Sequence, residues 1–210
     1  IDSVIKLRES SMTLAAIEKD ELTGLYTRQA FYHHARTFTH FMTEEKFNVV
    51  ILDVADFKLI NGTYGTKKGN EVLVYLSNAF RYYVKNGLLT RYEGDQLLGL
   101  FHSKVKMDVE RINRNINKIA EEAPIPNIRI KVGIYEDIDT SLSIPIICDR
   151  ALMAEKSISK DFKTNVAFYT DEMNQKQLAQ RQMENDFKSA IANREFKVYY
   201  QPKYDVNTEN

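Results

Sequence analysis

A run of apolar residues in the first third of the chain stands out from its surroundings. Residues 49–52 are all apolar, the first three are β-branched, and the run ends abruptly at Asp53. This pattern predicts a buried strand with a carboxylate at its C-terminal end, followed by a short turn over residues 54–57. Three glycines then lead into an amphipathic stretch: Gly62, Gly65 and Gly69. Such a strand end is where α/β folds bind ligands, and a loop with free amide groups before a helix suits a phosphate.

A second pattern predicts a β-hairpin over residues 88–101. Two apolar runs flank Glu93-Gly94-Asp95, and a Gly-Asp pair is typical of a tight turn. If this hairpin pairs with the strand that ends at Asp53, the carboxylates of Asp53 and Asp95 come close together. Two carboxylates around one hard cation would form a Mg²⁺ site. The structural alternative is that Asp53 only caps the following turn and Asp95 only serves the hairpin turn.

Apolar positions at helical spacing predict further helices around this strand and hairpin. These helices cover residues 27–42, 67–85, 106–122 and 144–160. Thr27 is a candidate N-cap, and Asn86-Gly87 is a candidate left-handed cap. Two more strands are predicted, over residues 128–136 and 165–169. Helices mixed with strands around a central hairpin predict an α+β sandwich.

Composition is that of an ordinary globular protein and argues against several partners. The chain has 210 residues, of which 43% are hydrophobic and 28% charged, and its net charge is zero. A net charge of zero gives no argument for nonspecific binding to nucleic acid or to an anionic membrane, and no apolar run reaches membrane-span length. The single cysteine, Cys148, excludes an internal disulfide, suits a reducing cytoplasm and is predicted to be a small core residue.

The two ends of the chain are predicted to lie outside the sandwich. Residues 1–19 predict a helix that is either the end of a signalling helix from an upstream sensor or a packed leading helix. Residues 171–194 are polar with a thin apolar stripe and predict an interdomain linker helix. Residues 195–204 predict a strand. Because the chain begins at Ile1 and stops within this last pattern, we expect it to be a piece of a longer protein, cytoplasmic or the cytoplasmic part of a membrane-anchored sensor.

Five motifs, in the expected order and spacing, resemble those of the GGDEF family, the diguanylate cyclases. They are D-x-LTGLxNR at residues 20–28, DxDxFKxIND at 53–62, GHxxGD at 65–70, the signature GG(D/E)EF at 93–97, and ALYxAK at 151–156. The resemblance implies a nucleotidyl-cyclase-like βαββαβ sandwich over residues 20–170, with a central, mainly antiparallel sheet flanked by helices. Residues 195–210 are similar to the start of an EAL domain, the cyclic di-GMP phosphodiesterase family, with a generic strand as the alternative.

The resemblance also implies a site and a reaction. In a diguanylate cyclase, two GTP molecules meet between two GGDEF domains, each 3′-hydroxyl attacks the α-phosphorus of the other, and pyrophosphate leaves. The metal ligands, for Mg²⁺ or Mn²⁺, map to Asp53, the Val54 carbonyl and Asp95, while Asp95 and Gln96 are the catalytic positions of the signature. The nucleotide-binding positions are Phe57, Lys58, Asn61, Asn70, Gly94 and Lys156. For the lysines, the alternative is a solvated surface charge.

Several positions depart from the family pattern. Gln96 stands where the signature has Glu, and a neutral amide cannot act as a general base. Glu93 replaces a glycine and adds negative charge near the expected α-phosphate. Asn70 replaces an Asp that accepts hydrogen bonds from guanine. The R-x-x-D of the family's product-inhibition site is absent, because residues 84–87 are Val-Lys-Asn-Gly. Together these departures imply weak or absent cyclase activity.

The sequence therefore supports three hypotheses, in decreasing order. The first is a degenerate GGDEF domain that binds GTP or a related purine nucleotide and regulates an attached EAL phosphodiesterase. The second is a ligand-free module for dimerisation and signal relay. The third is an active cyclase that makes cyclic di-GMP from two GTP. The expected partners are the nucleotide, the chain's own EAL and upstream sensor domains, and a second copy of the domain.

Overall fold

The computed structural model describes residues 18–41, 45–102, 106–158 and 164–201. It divides the chain into two units, Ile1–Thr170 and Asp171–Asn210. The leading helix predicted over residues 1–19 lies almost entirely outside the described residues. The first unit contains all of the motifs that resemble the GGDEF family.

The first unit alternates strands and helices along the chain. Its strands are β1 (Tyr26–Thr27), β2 (Phe47–Val54), β3 (Leu88–Glu93), β4 (Gln96–His102), β5 (Ile130–Tyr135) and β6 (Val166–Phe168). Its helices are α1 (Arg28–Phe41), α2 (Phe57–Tyr64), α3 (Thr66–Tyr83), α4 (Val109–Glu121) and α5 (Ile144–Ser157). The helices and strands predicted for this unit are all present, with ends shifted by a few residues.

One mixed sheet organises this unit, with the strand order β1-β3-β4-β2-β5-β6. Strand β2 lies at the centre and pairs antiparallel with β4 and β5, and β3 and β4 form the predicted hairpin. Only the short outer strands are parallel to their neighbours, β1 to β3 and β6 to β5. The predicted α+β sandwich with a mainly antiparallel sheet is therefore confirmed.

Strand β2 is buried on both faces, which explains its continuous apolar run. Val50, Leu52 and Val54 belong to one hydrophobic cluster, which includes residues of α3 and α4. The alternate residues Val49 and Ile51 belong to a second cluster, which includes residues of α1 and α5. Because side chains alternate along a strand, the side chain of Asp53 lies on the same face as Val49 and Ile51.

Cys148 confirms the prediction of a small core residue. It lies on α5 with no exposed surface and belongs to the same cluster as Val49 and Ile51.

The segment after Asp53 differs from its prediction. Residues 57–64, expected to be a turn and a loop, form helix α2 directly after a two-residue turn. Asp56 makes this turn with a φ of 55°, and Gly65, with a φ of 82°, separates α2 from α3. Phe57 and Ile60 pack against the first hydrophobic cluster, and this packing supports a helix too short to be stable alone.

The second unit begins with helix α6 (Asp171–Ala192), which has no buried residue. This helix was predicted over residues 171–194. By contrast, the strand predicted over residues 195–204 is wrong for its described part, because residues 195–201 form neither strand nor helix. Val198 and Tyr200 are 77% and 91% exposed. No described strand pairs with this segment, and an isolated strand is not stable in water.

Among the described residues, no helix combines the length and the apolar character needed to cross a membrane.

Candidate functional site

The end of β2 and the β3–β4 turn bring Asp53, Val54 and Asp95 together. Gly94 adopts a φ of 56° in this turn, and Arg91 Nε donates a hydrogen bond to the Gly94 carbonyl at 2.8 Å. The Val54 backbone N–H donates to the Asp95 carboxylate. The structure therefore places the three residues expected to hold a metal ion at one edge of the sheet.

The two carboxylates of this edge repel each other. Burial raises the pKa of Asp95 above its ordinary value, and the nearby charge of Asp53 raises it further. A site with this arrangement is stabilised by any positive group that reaches the carboxylates.

Gln96, at the fourth signature position, is part of the same cluster. It precedes Leu97, which pairs with Leu52 across the β2–β4 ladder. Its side-chain Nε2 donates a hydrogen bond to Asp53 Oδ1 at 3.3 Å. The amide therefore binds one oxygen of the carboxylate that the sequence assigns to a metal ion.

The other oxygen of Asp53 is bound by a residue that the sequence analysis missed. Lys131 lies directly opposite Asp53 in the antiparallel β2–β5 ladder. Its Nζ is 3.0 Å from Asp53 Oδ2 and also contacts Glu155 Oε1. Burial alone would lower the pKa of Lys131, but the hydrogen bonds to Glu155 and Asp53 outweigh burial and raise it.

Glu155 is the most deeply buried acidic residue of the described chain, with a side chain only 2% exposed. Its buried position raises its pKa. Two signals in the sequence could have revealed the pair. Glu155 falls on the apolar face of α5, where the ALYxAK motif has Ala, and Lys131 interrupts an otherwise apolar strand.

These contacts decide how well the site fits a divalent cation. Both oxygens of Asp53 are bound, one of them by an ammonium group. The described residues contain no group of three or more His, Cys, Asp or Glu side chains arranged to hold a metal ion. As arranged, the donor set does not fit a divalent cation. A Mg²⁺ or Mn²⁺ ion at Asp53, Val54 and Asp95 therefore stays a prediction, and it requires Lys131 to move away.

Helices α2 and α3 present most of the residues expected to bind nucleotide. A Cβ atom on Gly69 would lie 1.9 Å from Asn61 Oδ1 and 3.2 Å from Phe57 Cζ. The Asn61 side chain therefore lies directly against Gly69 of α3. Lys58 on α2 and Asn70 on α3 are exposed.

The other positions that the motifs single out are exposed as well. Glu93 is largely exposed, and its carboxylate is 3.8 Å from Arg28 Nη1, a weak surface ion pair. Gly94 is exposed in the hairpin turn, and Lys156 is exposed on α5, one residue after Glu155.

Comparison with known protein families agrees with this fold. The family described as "Diguanylate cyclase, GGDEF domain" matches residues 17–160. The chain is 27% identical to the diguanylate cyclase DgcM of Escherichia coli over 127 residues, which are 57% of this chain and 30% of that protein.

Two relatives of other kinds match over longer stretches. Over 170 residues the chain is 25% identical to MucR of Pseudomonas aeruginosa, a bifunctional diguanylate cyclase/cyclic di-GMP phosphodiesterase, covering 76% of this chain and 24% of MucR. Over 197 residues it is 25% identical to the Escherichia coli cyclic di-GMP phosphodiesterase PdeR, covering 88% of this chain and 29% of PdeR. The chain thus spans less than a third of the length of these relatives.

Solved structures share the fold. The coiled coil and GGDEF domain of DgcB from Caulobacter crescentus, in complex with c-di-GMP, aligns with a TM-score of 0.62 at 19% identity, covering 80% of this chain and 94% of that one. The active GGEEF domain of a Vibrio cholerae diguanylate cyclase aligns with a TM-score of 0.54 at 21% identity, covering 69% of this chain and 97% of that one. The family match covers more than half of the residues of this chain. The chain therefore belongs to the GGDEF domain family of diguanylate cyclases.

Proposed function

We propose that this GGDEF domain binds GTP or a related purine nucleotide, converts it slowly or not at all, and regulates an attached EAL phosphodiesterase in cyclic di-GMP signalling. The observation that carries the proposal is the contact between Gln96 and Asp53. At the signature position where the family has an acidic residue, this chain has a neutral amide that is bound to a proposed metal ligand.

The surroundings of Asp53 argue that catalysis is weak or absent. Phosphoryl-group chemistry depends on positioning and on cationic charge at the phosphates. Here Gln96 cannot take a proton from an attacking hydroxyl. Asp53, in addition, is already paired with Lys131. A cyclase needs the proton acceptor and the metal-binding carboxylates at the same time, whereas nucleotide binding tolerates the loss of some of them.

The nucleotide side of the site supports binding. Asn61 is held in place against Gly69, and its neighbour Lys58 on α2 is exposed. Asn70 still offers an amide oxygen as an acceptor. These side chains can bind a purine base and a phosphate without any contribution from Gln96.

The proposed EAL partner is supported by the relatives. MucR and PdeR are both named as phosphodiesterases. The match to PdeR covers 88% of the chain, which is more than the 170 residues of the first unit. The match therefore includes part of the second unit. An upstream sensor and a second copy of the domain complete the proposed arrangement.

The test is a calorimetric titration of GTP into the 210-residue chain, with chromatography of the mixture for cyclic di-GMP. We expect saturable heat and little or no cyclic di-GMP. Asn61→Ala should weaken binding about ten-fold, because it leaves a polar group of the base unpaired. Asn78→Ala, at an exposed position further along α3, is the matched control and should leave affinity unchanged.

Two outcomes would contradict the proposal. Steady formation of cyclic di-GMP would identify a working cyclase. No heat at several temperatures would leave a ligand-free module for dimerisation and relay.

A further inference from the structure

The ammonium group of Lys131 is fixed beside Asp53 by the architecture of the sheet. The two residues are direct partners across the β2–β5 ladder, so their side chains leave the sheet on the same face. This face is the one covered by α1 and α5, and the two side chains are only 20% and 15% exposed.

A close contact between α5 and β5 holds Glu155 next to this pair. Gly133 lies two residues after Lys131, on the same face of β5. A Cβ atom at Gly133 would lie 2.2 Å from the Ala151 carbonyl oxygen and 2.4 Å from the Glu155 nitrogen. The helix backbone therefore rests directly on the strand, and the Glu155 carboxylate reaches Lys131.

The charges of the cluster explain why Lys131 stays where it is. A buried carboxylate is costly without a partner, and Glu155 is almost completely buried. Lys131 is bound at once by Glu155 and by Asp53. A divalent cation that binds Asp53 would have to displace this ammonium group. The displaced lysine would lose its contact with Asp53, and its contact with the buried Glu155 carboxylate would be weakened as well.

We propose that Lys131, anchored by Glu155, is the resident cation of the Asp53 carboxylate and keeps divalent metal ions away from it. This inference deepens the proposed function, because it concerns the charge of the same site. It gives a reason for binding without turnover: a nucleotide would be held by groups such as Asn61 and Lys58, with no metal ion on Asp53.

The test measures Mn²⁺ alone, without nucleotide, by the loss of the electron paramagnetic resonance signal of the free ion on binding. We expect wild type to bind Mn²⁺ weakly. Lys131→Met combined with Glu155→Ala removes both members of the pair and restores the Ala of the ALYxAK motif. This double variant should bind Mn²⁺ at least about ten-fold more tightly, since a positive charge next to the Asp53 carboxylate is gone.

Two variants that keep a cation at position 131 are the controls. Lys131→Arg keeps the charge and should bind Mn²⁺ as weakly as wild type. Glu155→Ala alone removes the anchor but keeps the charge beside Asp53, so it should gain clearly less than the double variant. Circular dichroism checks that each variant is folded. If the double variant does not fold, Lys131→Gln provides the same test, because its amide can still donate to Glu155 while the charge is lost.

Three results would overturn the inference. These are tight Mn²⁺ binding by wild type, no gain in the folded variants that lack the lysine charge, and an equal gain in Glu155→Ala alone. GTP binding is measured separately in EDTA, so loss of the proposed function and loss of this inference are distinguishable.

Discussion

Asp95 and Asp20 show opposite electrostatic environments within one small region. The ionised form of Asp95 is disfavoured by burial and by the charge of Asp53, which raise its pKa. Burial also acts against the ionised form of Asp20, but hydrogen bonds from Thr23 and the charge of Arg91 outweigh it and lower the pKa. Arg91 Nη1 is 3.2 Å from Asp20 Oδ2, so the first motif supports the strand that leads into the signature.

Asp95→Asn is expected to stabilise the fold at neutral pH. The folded-state pKa of Asp95 lies above its unfolded value, so its ionised form costs stability at pH 7 and nothing below about pH 4. The variant should unfold about 2–4 °C higher, which corresponds to roughly 1 kcal/mol for a chain of this size. This gain should shrink as the pH is lowered from 7 towards 4. A thermal midpoint of Asp95→Asn below that of wild type at pH 7 would contradict the raised pKa of Asp95.

Asp20→Asn is the opposite case and serves as the comparison. The folded-state pKa of Asp20 lies below its unfolded value, so this residue contributes stability above about pH 4 that is lost as the pH falls through the folded value. We expect a loss of about 1–2 kcal/mol at pH 7. Thermal melts of both variants between pH 4 and pH 7 would show whether Asp95→Asn raises stability while Asp20→Asn lowers it.

Cys148 is expected to be unreactive in the folded protein. Burial raises its pKa to about 12, so the thiolate that reacts with disulfide reagents is scarce at pH 8. Ellman's reagent should label Cys148 only after unfolding in guanidinium chloride. Asn117→Cys, at an exposed position of α4, provides a thiol that should react at once. Fast labelling of folded wild type would mean that α5 opens readily.

A side chain of α2 lies directly against the backbone of α3 at Gly69. Gly69 is buried and has no room for a Cβ atom, because Asn61 Oδ1 occupies that space. The glycine therefore sets the position of the asparagine expected to bind the base.

Gly69→Ala should displace the Asn61 side chain and weaken GTP binding about ten-fold. Its stability should change by only about 1 kcal/mol or less, because Asn61 can rotate away and Ala is favoured over Gly in a helix. Gly62→Ala on α2 is a matched control, since nothing lies within 4 Å of its added methyl group. That variant should be as stable as wild type or more stable by up to about 1 kcal/mol. Calorimetry with GTP and thermal melts would compare the two. Equal behaviour of both variants would argue against a close α2–α3 contact.

How far the sequence predicts these elements depends on where their stability comes from. The β2 strand, the hairpin and the longer helices have local patterns, and the hairpin alone was enough to place Asp95 near Asp53. Helix α2 was missed because its eight residues are stabilised by packing of Phe57 and Ile60 rather than by a long repeat. Lys131 and Glu155 were missed because they meet only through the pairing of β2 with β5 and the contact of α5 with Gly133.

The two units differ in how they bury apolar surface. Both hydrophobic clusters consist of residues that precede Thr170. Helix α6 buries none of its residues, and its exposed apolar side chains include Leu178, Met183 and Phe187. Among the described residues, the apolar core of the sandwich is therefore supplied by the first unit.

A shortened chain that ends at Thr170 is accordingly expected to fold. Its thermal midpoint should lie within about 2 °C of that of the 210-residue chain, because no cluster residue is removed. Its affinity for GTP should also be unchanged, since every residue assigned to the nucleotide precedes α6. A midpoint lower by 10 °C or more would show that the second unit stabilises the first.

The absence of a side chain at Gly133 has an evolutionary consequence. Because the helix backbone lies on the strand there, positions 131 and 155 keep a fixed separation, and loss of Lys131 leaves the buried charge of Glu155 without its cation. The two positions should therefore covary among related chains, with a lysine and a glutamate gained or lost together. Position 131 would then sort family members into those that carry their own cation and those that recruit one from solution.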